Sequence, residues 1–351
     1  MPDLKKLHGP SRLVAALLAA ASLAGCNTVV LNPAGDVAAQ SGNLVIIATL
    51  LMLIIIVPVM ILIVLFAFKY RESNNPSDYD PEWHHSTVLE LVIWTVPLLI
   101  IIALGALTWI YTHKLDPYRP LDRIDAKRAV PAEVKPLEVE VVAMDWKWLF
   151  IYPEQGIATI NELAAPVDRP IRFKLTATTT MNAFYVPDLA GMIYAMPSMQ
   201  TQLNAVINKP GVYKGMSSHY SGSGFAGMTF KFHGLNDGDF NAWVQKAKTE
   251  GAALDRAEYL KLEKPSERDP VRLFSSVDNT LYHAVLNRCV EAGKMCMDEI
   301  MAKDAVANIN ARAKAGKSVS LLPADDVCTA GNAAEVITAL GEKEPSAPVT
   351  Q

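Results

Sequence analysis

Few side chains in this 351-residue sequence are placed to do chemistry, and their spacing decides what each could do. Four cysteines, Cys26, Cys289, Cys296 and Cys328, include no Cys-x-x-Cys pair of the kind a zinc site or a thioredoxin motif needs. Periodicity predicts a helix over Ser276–Ala302, which would hold Cys289 and Cys296 about 10.5 Å apart along its axis, too far to bridge each other. Cys328 can then pair with either, leaving one thiol over. Glu90 is the carboxylate joined directly to the uncharged run Leu91–Tyr111, four residues before Trp94 and so about 6 Å from it along a helix. A carboxylate at such a margin either ends the hydrophobic stretch or faces protein or water, where ionisable groups mark proton paths. His84 and His85 nearby are expected to be polar interface residues rather than metal ligands. Met181, Met192, Met196, Met199 and Met216 could form a soft copper site, but few imidazoles and no thiolates lie nearby. They are expected to fill gaps in a core.

The elements that must position these residues begin with an apolar excess. Hydrophobic residues make up 51% and charged residues 19% of the chain, and the excess lies before residue 112. A net charge of −4 leaves no basic footprint for phosphates, so nucleic-acid binding is excluded. Lys5, Lys6 and Arg12 precede the apolar stretch Leu13–Leu23, the plan of an export signal. Leu23-Ala24-Gly25-Cys26 resembles the lipobox of bacterial lipoproteins, with cleavage before a cysteine that carries lipid. The 25 uncharged residues Leu44–Phe68 can cross a hydrocarbon core of about 30 Å. Lys69 and Arg71 put that end in the cytoplasm, and Leu91–Tyr111 returns the chain outward.

The expected organisation is a lipoprotein signal at 1–25, a periplasmic segment at 26–43, a transmembrane helix at 44–68 and a cytoplasmic loop at 69–86. A second transmembrane helix at 87–112 leads to an all-β sandwich or barrel at 113–235, a helical segment at 236–305 and a weakly ordered tail at 306–351. Short alternating or β-branched segments predict strands at Glu138–Val142, Trp146–Tyr152, Ile157–Ile160, Pro170–Ala177, Asn182–Val186, Gln202–Ile207, Gly211–Gly215 and Met228–Phe232. Alternation would put Trp146 and Trp148 on one sheet face as packing residues. Phe240, Trp243, Val244 and Ala247 predict a helix face behind an Asp239 cap, and a second helix is expected at Arg256–Leu262.

Two membrane helices before an exported β domain resemble subunit II of the haem-copper respiratory oxidases. Glu90, Trp94, Thr95 and Pro97 match that family's second helix, and Asp145-Trp146-Lys147-Trp148 its Gln-Trp-x-Trp motif with the glutamine replaced. The resemblance implies a cupredoxin fold, which in the copper-bearing members holds two copper ions through two cysteines, two histidines, a methionine and a glutamate carbonyl. The family's His-Ser-Phe-x-Val-Pro motif, which carries the first histidine, stands as Asn182-Ala183-Phe184-Tyr185-Val186-Pro187; the later loop, aligned without a gap from Gly211, Tyr213 and Gly215, holds Ser217 and Ser221 for cysteine, His219 for glutamate, Phe225 for the second histidine, and Met228. His219 also removes the carboxylate that helps hold a magnesium ion in the family. Such losses mark the quinol-oxidising, cytochrome bo-type branch, which Trp146-Lys147-Trp148, Tyr152-Pro153-Glu154-Gln155-Gly156, Tyr220-Ser221-Gly222 and Gly227-Met228 also resemble.

The resemblance implies no cofactor in this chain, and haems and copper in a partner subunit I that also oxidises ubiquinol. Further small membrane subunits and the lipid bilayer are the other expected partners. Glu90 would stand at the entrance of a proton channel, and Cys26 would carry the lipid anchor in the bacterial inner membrane with both termini periplasmic. The rival reading is a free-standing membrane-anchored lipoprotein, a scaffold or binding module with a cupredoxin fold.

Overall fold

The computed structural model describes residues 28–71, 82 and 84–314; Cys26, Cys328 and the signal segment lie outside them. The chain divides into two compact units between Leu115 and Asp116.

The first unit carries α1 (Asp36–Lys69) and α2 (Thr87–Lys114), both long and apolar enough to cross a membrane. At about 1.5 Å per residue they extend about 51 and 42 Å, beyond a hydrocarbon core of about 30 Å. Helix α1 starts at Asp36 rather than Leu44, because Asp36 lies in the first turn, where a carboxylate complements the dipole, and accepts from Gln40 at 2.8 Å. Leu50, Ile54, Ile61 and Leu98 are exposed, the reverse of a helix in a water-soluble protein. The hydroxyls of Thr108 and Thr112 donate back to the Leu104 and Thr108 carbonyls at 2.8 Å, so neither is left bare on the apolar surface.

In the second unit a linker is fixed by Arg128, whose guanidinium forks onto Asp168 at 2.8 and 2.9 Å. Twelve strands follow: β1 (Leu137–Met144), β2 (Lys147–Tyr152), β3 (Ile157–Ile160), β4 (Glu162–Pro166), β5 (Ile171–Ala177), β6 (Asn182–Tyr185), β7 (Ile193–Ala195), β8 (Thr201–Ala205), β9 (Gly211–Ser217), β10 (Thr229–Leu235), β11 (Ala252–Leu254) and β12 (Arg272–Val277). They form a seven-stranded sheet, order β11-β12-β3-β2-β1-β5-β8, and a five-stranded sheet, order β4-β10-β9-β6-β7. Between the sheets lie Trp148, Phe150, Phe173, Phe184 and Phe230, all nearly inaccessible, with Phe184 and Phe230 stacked at 5.4 Å. The buried Tyr152 hydroxyl links the sheets, donating to the Ala164 carbonyl and accepting from its amide, both at 2.9 Å.

The C-terminal elements are α3 (Asp237–Glu250), α4 (Arg256–Leu262), α5 (Leu281–Leu286) and α6 (Met297–Lys314). Asn236, not Asp239, occupies the N-cap of α3, which docks through Phe240, Val244 and the Trp243 indole donating to Glu162 at 2.8 Å. A second core forms where Val142, Met144, Leu149 and Ile151 meet Tyr259, Leu262, Phe274, Leu281, Tyr282 and Val285. Strand β2 is therefore covered on both faces and buried at every position.

Several expectations are corrected here. The helix expected over Ser276–Ala302 is instead the end of β12, α5, a tight reversal and α6. Arg288 and Gly293 take left-handed φ values of 56° and 82°, which breaks the helix. The reversal brings Cys289 and Cys296 to a Cα separation of 4.8 Å, where they form a disulfide. The pairing expected for Cys328 with either of them is overturned. Residues 306–314, expected in the tail, continue α6. Met192 and Met199 are exposed and Met181, Met196 and Met216 half-buried, so none of these methionines fills the core.

Glu140 sits on the covered face of β1, opposite Ile151 and Lys174. Burial pushes its carboxyl from the ordinary 4.5 up to about 7, with Lys174 opposing and Glu138 adding to the shift. Between those two values the folded chain holds the proton more tightly than the unfolded chain, so this group's contribution to stability falls as pH rises from 4.5 to 7. Glu140→Gln should therefore gain on the wild type by on the order of 2 kcal/mol between pH 5 and pH 8. Urea unfolding at both pH values checks it, and an unchanged difference between the two proteins would refute it.

Candidate functional site

Two places carry the residues singled out by sequence, one in each unit. In the first, Ser86 caps α2, its hydroxyl accepting from the Leu89 amide at 3.5 Å, and so places Glu90 in the first turn. The cap turns the chain back on itself, and the His85 Nδ1 lies 2.8 Å from the Glu90 Oε1. Its other ring nitrogen lies 3.2 Å from the Thr87 hydroxyl. Both side chains are more than half exposed, 57% for His85 and 54% for Glu90. Residue types alone do not pair His85 with Glu90. The signal was present in the serine between them, since a capping turn folds the preceding residue onto the first turn of the helix.

In the second unit the β9–β10 connection holds the remaining positions. Ser217 ends β9 opposite Phe184, and its hydroxyl donates to the Asn182 side-chain carbonyl at 3.2 Å, with both residues buried. The Asn182 amide nitrogen donates to the Thr180 carbonyl at 3.0 Å. Met228 is buried directly alongside, its carbonyl accepting from the Ser217 amide at 3.2 Å. Asn182, Ser217 and Met228 are thus brought together. His219 joins them through its backbone, its carbonyl accepting from the Ser217 hydroxyl at 3.2 Å, but its imidazole stands edge-on to Tyr194 at 6.0 Å, and the Phe225 ring lies apart, edge-on to the exposed Tyr220 at 5.6 Å. Ser221 offers its backbone carbonyl to the Trp146 indole N–H at 3.0 Å.

The buried end of this loop offers a hydroxyl, an amide and one thioether, and the first two are taken up by protein partners, the hydroxyl by Asn182 and the His219 carbonyl and the amide N–H by the Thr180 carbonyl. That donor set does not fit a thiolate-bridged copper pair, which needs soft anionic sulfur and imidazole. Among the described residues no three His, Cys, Asp or Glu side chains converge as metal ligands.

Trp146 and Trp148 do not share a strand face, contrary to expectation. Trp146 sits in the turn before β2 with φ of 64°, and its ring lies over the loop, whereas Trp148 is in the sandwich core. Lys147 stands in the sequence only as the middle of the aromatic motif, with no sign of the partners that bury it. It is 1% exposed, and its ammonium meets Asp269 at 3.2 Å and donates to the Lys264 carbonyl at 2.8 Å.

Residues 152–233 match the family described as cytochrome c oxidase subunit II, periplasmic domain, and residues 248–293 match the COX aromatic rich motif. The cytochrome bo(3) ubiquinol oxidase subunit 2 of Pseudomonas putida is 45% identical over 284 residues, covering 80% of this chain and 88% of that protein. Its counterpart in Pseudomonas aeruginosa is 47% identical over 266 residues, covering 76% and 78%. Among solved structures, the periplasmic domain of subunit II of cytochrome oxidase from Bradyrhizobium japonicum is 25% identical with a TM-score of 0.32, covering 33% of this chain and 96% of that one. With 45% and 47% of the aligned residues identical to those of two relatives, over 88% and 78% of their lengths, the chain belongs to the family of ubiquinol oxidase subunit 2.

Proposed function

We propose that this chain is the copper-free subunit II of a proton-pumping ubiquinol oxidase in a bacterial inner membrane, anchored by lipid on Cys26 with both termini periplasmic. The observation that carries the copper-free reading is the Ser217 hydroxyl donating to the Asn182 side chain beside Met228, where the copper-bearing relatives would have thiolate and imidazole. A lipid-soluble quinol delivers electrons within the membrane and needs no copper relay outside it. On this reading the haems, the copper and the oxygen chemistry belong to the partner subunit I, and further small membrane subunits complete the complex. The chain contributes assembly, closure of the outer surface and, through Glu90, the entrance of a proton path.

The competing reading, a free-standing lipoprotein scaffold, gives no role to a carboxylate paired with histidine at the first turn of α2. Purifying the tagged full chain in mild detergent separates the two. A haem spectrum in the purified material supports the oxidase, and its absence from an intact preparation favours the scaffold. In the same material, intact mass should give a mature chain beginning at a diacylated Cys26; any other start, or a bare thiol, rejects the anchor. Titrating the purified chain with copper should produce no intense visible thiolate-to-copper bands, because Asn182, Ser217, Ser221 and Phe225 hold the ligand positions. Their appearance would overturn the copper-free reading.

A further inference from the structure

The turn Asp145–Lys147 sends adjacent side chains to opposite sides, and both reach the β9–β10 loop. The Trp146 ring covers it directly. A Cβ added at Gly224 would stand 2.4 Å from the indole, and one at Gly222, whose φ is 111°, would stand 3.2 Å from it, so both glycines allow the ring to lie against the backbone. The indole N–H then holds the Ser221 carbonyl at 3.0 Å.

Lys147 reaches the loop through an intermediary. Its ammonium, buried beneath residues 264–269, is held by the Lys264 carbonyl, the Ser266 hydroxyl and Asp269. Ser266 donates to Asp269 at 2.6 Å, and the Asp269 backbone carbonyl accepts from the Asn161 side-chain amide, whose side-chain oxygen accepts from the Trp148 amide at 2.9 Å. Burying an ammonium is costly unless it is paired and hydrogen-bonded, and here it is both. The segment so anchored touches the loop at two points. Glu267 accepts from the Ser223 hydroxyl at 3.1 Å, and the Arg268 side chain packs against Gly227.

We infer that Trp146 and the segment 264–269, anchored on Lys147, form a two-sided clamp that orders the β9–β10 loop without any metal. Lys147 is the positioning residue, acting through a stretch of chain more than a hundred residues away. The inference rests on these contacts and stands whether or not the chain works in a quinol oxidase.

Limited chymotrypsin digestion of the full chain in detergent tests it, with cleavage at Tyr220 and Phe225 as the readout. The wild-type loop should resist equally well with and without a copper chelator. Lys147→Met should raise the cleavage rate about tenfold or more, since proteolysis follows the population of the opened loop and a charged hydrogen-bond network has been lost. If Lys147→Met does not accumulate, Ser223→Ala with Glu267→Gln removes only the surface grip of the segment and should still raise cleavage severalfold. Gly224→Ala, which pushes the indole off from the loop side, should do the same. Unchanged cleavage in the surface double variant and in Gly224→Ala, or a wild-type loop that becomes labile on chelation, would overturn the clamp.

Discussion

Glu90→Gln should slow ubiquinol oxidation by roughly tenfold or more while haem content and assembly stay normal, the scale at which a positioned acid–base group contributes to proton transfer. Glutamine keeps the shape of the side chain and can still accept from His85 through its carbonyl oxygen, so the local geometry at 2.8 Å is preserved. What it removes is the group that takes up and releases a proton. A carboxylate placed only to end the apolar run would tolerate this exchange without loss, because the residue lies in the first turn of α2 with its amide already bonded to the Ser86 carbonyl at 2.9 Å. Turnover of the purified complex, normalised to its haem spectrum, therefore separates the two roles. Unchanged turnover, or loss of the whole complex from the membrane, would assign Glu90 to structure instead.

How legible the fold was depended on the range of the interactions that fix it. The sandwich strands follow from alternation within a few residues, and the two membrane-spanning-capable helices from uncharged runs whose length and apolarity outweigh the internal Pro58 and Pro97. The short strands β4 and β7 escaped because Glu162–Pro166 and Ile193–Ala195 are rich in alanine or too brief to show a period. The C-terminal layer was misread for another reason. Its apolar spacing over Ser276–Ala302 suits a helix, but Arg288 adopts a left-handed conformation that no local propensity favours. Only the second core formed by Leu281, Tyr282 and Val285 against the sheet makes that turn worthwhile.

The candidate site divides in the same way. Matching positions against the family pattern picked out Asn182, Ser217 and Met228, and the structure brings those three together. Their hydrogen bonding could not be read from the sequence. Lys147 looks like a solvent-facing interruption between two tryptophans, and only Asp269, distant in sequence, makes its burial intelligible. The alternation that puts Trp148 in the core would put Trp146 in the same strand. The positive φ of Trp146 shows that the strand begins one residue later.

Replacing Cys289 and Cys296 together by serine should lower the stability of the β domain by about 2.5 kcal/mol, taking the loop-closure entropy for a ring of about eight residues. At a few degrees per kcal/mol for a domain of this size, the melting temperature should fall by roughly 5–10 °C. The effect should be local at first. The bridge closes the reversal between α5 and α6, and Cys289 is buried in the second core beside Val285 and Val290. Without it, α6 loses its fixed start while the sandwich between the sheets keeps its aromatic core. Hydrogen exchange should accordingly speed up across α5 and the beginning of α6 more than across β2. Cys328→Ser, by contrast, should leave both the melting temperature and the Cys289–Cys296 cross-linked peptide unchanged. Finding Cys328 cross-linked to either cysteine in the mapped wild-type chain, or an unaltered melting temperature in the double serine variant, would rule out this bridge as the staple of the C-terminal layer.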